Sequence, residues 1–285
     1  MSRTYRLFVQ SIAASAAILI GASVAPAAEK TPAPLRALLI AGGCCHDYAA
    51  QIHLLKKGLE DRANVVVDFV FNADTSTAPP LDIYGNPAYA DGYDVVIHDE
   101  CSSDVKYIDV VEGVLAPHRA GLPAVNLHCA MHSYRIAPDV KQPLAPGSPE
   151  SFWFDFLGVQ SAGHGKQLPI AIEITDAEHP VMKGLSGWTT INEELYNNIA
   201  VREGTKVLAS GSQEPNDRPG FTEAAVVWTS EYGGKKARVF STTIGHNNDT
   251  VADARYLDLV TRGLLWACGK LDESGAVATG YESKP

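Results

Sequence analysis

Four apolar runs of strand length occupy the first half of the chain: Leu35 to Ile40, Val65 to Phe71, Tyr93 to His98 and Pro123 to His128. Between the first two lies Gln51 to Arg62, where Ile52, Leu55 and Leu59 recur at spacings of three and four, the mark of an amphipathic helix. Val105 to Arg119 reads as a second helix before the fourth run. Strands that alternate with helices pair in parallel through right-handed crossovers. The first half therefore predicts an α/β, flavodoxin-like, doubly wound sheet.

The second half has a different rhythm. After a Pro-rich loop from Pro138 to Pro149 come strand-like runs at Leu168 to Thr175, Lys206 to Ser210, Ala224 to Ser230 and Arg238 to Thr243, with turns such as Gly233-Gly234 between them. These predict antiparallel additions to the mostly parallel sheet. Asp253 to Cys268 is a closing helix, and the polar segment 273–285 reads as a loose tail. The stretch from Asn72 to Gly92 is a long loop of the kind that often carries function.

Residues 1–28 have the three parts of an export signal: Arg3 and Arg6, an apolar core from Ile12 to Val24, and the small-residue site Ala25-Pro26-Ala27-Ala28. An uncleaved anchor would need roughly 20 predominantly apolar residues. The expectation is a periplasmic or secreted protein that begins near Glu29, has one α/β domain over 29–272, and keeps no stable membrane insertion after cleavage. The net charge of −10 and the lack of a Lys/Arg-rich run exclude nucleic acid as the natural partner.

The fourth run, PAVNLHCAMHSY, ends in His128 and turns at once. In open α/β sheets ligands bind beyond the carboxyl ends of the strands, so chemistry is expected at this bend. A helix starting there would put His132 one turn from His128, on the same face. Other histidines also sit at turns: His46 after Gly42-Gly43, His164 between Gly163 and Gly165, and His246 after Gly245. Two or three imidazoles with Glu194 or Asp47 would suit zinc or a similar divalent ion. General acid–base work by His128 and a carboxylate is the second chemistry. Attack by Cys129 is disfavoured, because His128 holds the bend. Cys44, Cys45, Cys101 and Cys129 fall at strand ends, where they read as small buried residues or as one bridge.

The ordered motifs LLIAGG…H, VNLHCA, EHP at Glu178 to Pro180, EELY at Glu193 to Tyr196, and VVWTSEYGGKKARVFSTTIGH before a helix with LLWA resemble the trehalose-utilisation (ThuA-like) family. That resemblance implies a class I glutamine amidotransferase-like fold, with His128 where an amidotransferase has its nucleophile and without the flanking glycines. Amidotransferase chemistry is therefore not expected. The resemblance matches Glu194 and His246 to family positions and places Glu193 where an aspartate is common. It implies a small-molecule carbohydrate ligand and a hydrolase or lyase that cleaves 3-keto glycosides. His128, Glu194, His46 and His246 would be catalytic, with His46, His128 and His246 as metal ligands if an ion is used. Asp47, His132, His164 and Tyr196 would contact substrate. The alternative is a non-catalytic sugar-binding or accessory module.

N-terminal sequencing of protein recovered from the periplasm or medium should read from Ala28 or Glu29. Arg3 to Arg6 retained in the membrane fraction would mean an anchor.

Overall fold

The computed structural model of the protein describes residues 1–2, 32–214 and 223–283, so the export signal lies outside the described residues. The parallel half follows the sequence pattern, as β1 (Leu35–Gly43), α1 (Tyr48–Glu60), β2 (Val65–Asn72), β3 (Val95–Cys101), α2 (Ile108–Arg119) and β4 (Ala124–Leu127). α3 (Phe152–Leu157), β5 (Val159–Ile174), β6 (Trp188–Val201), β7 (Lys206–Ser212), β8 (Glu223–Tyr232) and β9 (Ala237–Thr242) come next. α4 (Asn248–Val251) and α5 (Ala254–Ala267) close the fold.

The nine strands of the described residues form one sheet in the order β2-β1-β3-β4-β9-β8-β7-β5-β6. The run from β2 to β9 is parallel, and the run from β9 to β6 is antiparallel. β3 and β4 are buried along their whole length, which is why they read as continuous apolar runs rather than alternating ones. On one face, Ile52, Leu55 and Leu59 of α1 and Leu257, Val260 and Leu264 of α5 join the core with Leu39 and Val67. On the other, Val111, Val114 and Leu115 of α2 pack with Trp153 and Phe154 of α3. Helices on both faces make the sheet doubly wound, as the alternation predicts. Among the described residues no helix is long and apolar enough to cross a membrane.

Three local expectations are corrected. No α-helix follows β4: His128–His132 is a 3-10 turn, and the chain stays irregular to α3. His128 and Tyr134 have positive φ, and Pro138, Pro143, Pro146 and Pro149 block helix growth. β6 was hidden in the sequence because Asn192, Glu193, Glu194, Asn197 and Asn198 give its centre a polar composition. The segment from Glu273 is not loose through 283: Leu271 bridges Val277, Ala63 bridges Glu282, and Val277 and Tyr281 pack on the core.

Beneath α2 lies a buried polar network that fixes the end of β3. His118 Nδ1 donates to the Leu122 carbonyl at 2.8 Å, so its Nε2 accepts from His98 Nε2 at 3.1 Å. His98 Nδ1 then faces Glu100 Oε1 at 3.0 Å, which also accepts from Tyr84 and Tyr134 at 2.8 Å each. Burial alone would raise the Glu100 pKa, but His98 and the two phenols hold it below the usual carboxylate range. Burial, with His98 beside it, pushes His118 down to about 3. Trp153 is an interior residue, and Tyr84 packs partly buried against the core with its hydroxyl turned inward to Glu100.

His118 stabilises the fold fully above the ordinary imidazole pKa, and that stability is lost as pH falls from about 6.5 to about 3. The loss should run at about 1.4 kcal/mol per pH unit. Urea denaturation across this range should show a steeper fall for wild type than for His118→Gln.

Candidate functional site

The bend after β4 is a left-handed backbone position. His128 has φ 38°, an uncommon conformation for a residue with a side chain, and it is 2% exposed. Its Nδ1 donates to the Thr243 carbonyl at 2.6 Å, which leaves the Nε2 lone pair turned inward. Nε2 lies 3.3 Å from the Tyr196 hydroxyl and 3.5 Å from Glu194 Oε2.

Two further imidazoles meet it there. His46 arrives from the loop after β1 and His246 from the turn after β9. Ring centroids are 4.7 Å apart for His46 and His128, 4.7 Å for His46 and His246, and 5.5 Å for His128 and His246. One nitrogen from each lies within 4.8 Å of the others. His46 Nδ1 is buried and has no hydrogen-bond partner among the described residues. Burial, then the neighbouring His128 and His246, push the His46 pKa down to about 2, so this imidazole is neutral with a lone pair available. Three converging imidazole nitrogens, one of them neutral by burial, match the donor set of a zinc-like ion, and this cluster could hold one.

Glu194 stands beside the cluster. Its Oε2 is 3.5 Å from His164 Nε2 as well as from His128, and its Oε1 is 3.3 Å from His246 Nδ1. Gln167 Nε2 bridges Glu194 Oε1 at 3.2 Å and His246 Nε2 at 2.8 Å. Burial alone would push the Glu194 pKa up; the neighbouring imidazoles of His128, His246 and His164 more than offset it and hold it well below the carboxylate range. Burial pushes His246 down, yet Glu194 and Glu193 more than offset it, and its pKa is raised.

The pairing of β5 with β6 explains how so many polar groups reach one side. Ser161, His164 and Gln167 are three residues apart, so in a regular strand they would alternate between faces. They pair with Asn198, Tyr196 and Glu194, two apart, because β5 has an irregularity between Ser161 and His164 and another between His164 and Gln167. Gly163, at φ 152°, sits in the first of them. Each extra residue returns the next side chain to the same face. Gln167 was missed in the sequence, where only the glycines around His164 marked the place.

Glu193 points away from the imidazoles into the turn after β9. Its carboxylate accepts from the backbone amides of His246 at 3.0 Å, Asn247 at 3.3 Å and Gly245 at 3.4 Å. Gln51 of α1 closes the same turn from behind, donating to the His246 carbonyl at 3.1 Å. The position of His246 is thereby fixed from two elements.

Two residues expected at the ligand stand outside the imidazole cluster. His132 is turned away from His128: at three residues per turn, a residue four on is rotated by about 120°, against about 40° in an α-helix. Instead its Nε2 bonds Ser161 Oγ at 2.8 Å and its ring stacks on Tyr196 at 4.0 Å, which steadies the phenol. Asp47 caps α1 through Ala50 N at 3.2 Å and accepts from Asn248 at 2.8 Å, outside the imidazole cluster but in the wall of the cavity over it. Four of the cysteines are paired, as Cys44–Cys45 and Cys101–Cys129.

A cavity of about 590 Å³ opens over the site, with His46, His246, Cys45, Ile191, Asn247 and Asn248 among its walls. A groove of about 630 Å³ elsewhere is lined by Arg62, Lys183 and Arg262, whose cations are already held by Asp258, by Glu178 and by backbone carbonyls. It offers no comparable convergence.

The family model described as ThuA, trehalose utilisation, matches residues 36–267. Among solved structures, a ThuA-like protein from Parabacteroides merdae ATCC 43184 is similar, with a TM-score of 0.61 and 21% identity, covering 88% of this chain and 98% of that one. A ThuA-like protein from Bacteroides uniformis ATCC 8492 has a TM-score of 0.59 and 19% identity, covering 85% and 95%. No curated protein matches the sequence.

Removing the Glu193 carboxylate strands three amides. Glu193→Ala should lower unfolding stability by roughly 3 kcal/mol, since buried groups left unpaired cost about 1–3 kcal/mol each and the turn can relax in part. Glu193→Gln, which keeps one acceptor oxygen, should lose less. Chemical denaturation of the three proteins checks the order.

Proposed function

We propose that this chain, which belongs to the trehalose utilisation (ThuA) family, is an exported enzyme that cleaves the glycosidic bond of 3-keto glycosides or disaccharides. The observation that carries this reading is the fixed, inward Nε2 of His128 beside a charged Glu194, packed against His46 and His246, which line an open cavity. A 3-keto group makes the sugar C2 proton acidic. His128 Nε2 takes that proton, and the new imidazolium is held by the Thr243 carbonyl on one side and Glu194 on the other. The electron pair forms the C1=C2 bond as the C1–O bond breaks. His246, whose pKa Glu194 raises, gives the leaving oxygen its proton from Nε2 once substrate has displaced the Gln167 amide that contacts that nitrogen. The Tyr196 hydroxyl, 3.3 Å from His128 Nε2, is the donor we assign to the developing enolate oxygen. The product is an unsaturated keto sugar, which water can later hydrate. His164, 38% exposed at its side chain, lies at the open edge of Glu194 and is the residue assigned to substrate contact.

A second version rests on the orphaned His46 Nδ1. A divalent ion held by His46, His128 and His246 would supply Lewis-acid polarisation of the keto oxygen or an activated water. His128 would then be a ligand, not the base.

His128→Asn and Glu194→Gln should abolish turnover of a 3-keto glucoside, with melting temperatures showing that both variants fold. Turnover should also fall on the alkaline side as His246 gives up its proton. Saturable sugar binding without product in wild type would make the protein a binding module. Activity that survives exhaustive chelation supports the histidine base; a stoichiometric ion lost with His46→Ala, together with activity, supports the metal version.

A further inference from the structure

The proposed sugar chemistry uses none of the cysteines, yet four of them occupy the same strand ends as the histidines. Cys44 and Cys45 follow β1 and immediately precede His46; Cys101 ends β3; Cys129 follows His128 in the turn after β4. They are joined as Cys44–Cys45 and Cys101–Cys129. The two disulfides touch, with Cys44 Sγ 3.5 Å from Cys101 Sγ. Four sulfurs thus run in one line: Cys45, Cys44, Cys101, Cys129.

That line has an outer and an inner end. Cys45 is exposed and forms part of the cavity wall, and Cys44 is half-buried. Cys101 and Cys129 are 3% and 5% exposed, beyond the reach of a reagent in solution. Thiol–disulfide exchange needs an accessible sulfur for the first attack and a second sulfur close to the thiol that is released. Both are present.

We infer that the four cysteines form a thiol–disulfide exchange site that accepts an external dithiol at Cys45 and passes the exchange inward to Cys101–Cys129. One thiol of the dithiol attacks Cys45 Sγ, forming a mixed disulfide and breaking the bond to Cys44. The freed Cys44 sulfur attacks Cys101, forming Cys44–Cys101 and releasing Cys129. The second thiol of the reagent then closes on the first and leaves as a disulfide, freeing Cys45. The reagent has lost two electrons and two protons, and the protein has gained them as the Cys45 and Cys129 thiols. The cross-link moves from β3 and the bend after β4 to β1 and β3. The two thiols released are the chain neighbours of His46 and His128.

The test uses the full chain isolated without reductant and treated with one equivalent of dithiothreitol, then acid-quenched, alkylated and peptide-mapped. The expected map contains Cys44 linked to Cys101, with Cys45 and Cys129 alkylated. Alkylated Cys44 and Cys45 beside an intact Cys101–Cys129 bridge would overturn the inference, as would any map without the Cys44–Cys101 link. Cys45→Ser gives a check without reductant: its lone Cys44 thiol should convert part of the protein to Cys44–Cys101 with an alkylatable Cys129. If that variant does not fold, Cys129→Ser should show the same link with Cys45 alkylated. Cys101 thiol beside an intact Cys44–Cys45 ring in that variant would overturn the inference.

Discussion

A carboxylate removed from water costs several kcal/mol unless donors replace the solvent, and much of this fold's C-terminal half is arranged to supply them to Glu194. His128, His164, His246 and Gln167 all converge on its two oxygens. They come from the turn after β4, from β5 and from the turn after β9. One buried charge therefore ties the parallel half of the sheet to the antiparallel half at the level where a ligand would lie. The same charge sets the protonation of its neighbours, lifting His246 while His46, one ring further away, is pushed down by burial.

Glu193 and Glu194 show how adjacent identical residues take different tasks through the pleat of a strand. Successive side chains of β6 face opposite ways. Glu194 meets the imidazoles, and Glu193 meets the backbone amides that hold one of those imidazoles in place. Positioning and chemistry are thus two faces of one strand. The turn after β9 is pinned from α1 by Gln51 as well.

The parallel core was legible because its strands are buried on both faces and its helices are amphipathic, so composition and periodicity pointed the same way. His46, His128, His164 and His246 were legible because each adjoins a strand end or a glycine turn, and all four do gather around Glu194 or around one another. What the pattern could not give was β6, whose polar centre is buried by long-range pairing with β5. Nor could it separate an α-helix from a 3-10 turn after His128, and that distinction moved His132 behind Tyr196. The Cys101–Cys129 disulfide depends on the ends of β3 and β4 meeting in space, which sequence spacing does not encode, whereas Cys44–Cys45 joins chain neighbours.

The irregular pairing of β5 has a bearing on how such a chain can vary. Loops usually absorb an inserted or deleted residue without disturbing what flanks them. Between Ser161 and Gln167 the chain is a strand, and its two extra residues set which side chains face inward. Losing one of them would regularise part of the strand at a spacing of two and leave His164 and Gln167 on the face they share with Ser161, whereas flattening a bulge without losing a residue would turn the side chains beyond it to the opposite face. A chain one or two residues shorter here would therefore carry the same inward set, and it is the bulges, not the length as such, that keep these three side chains together.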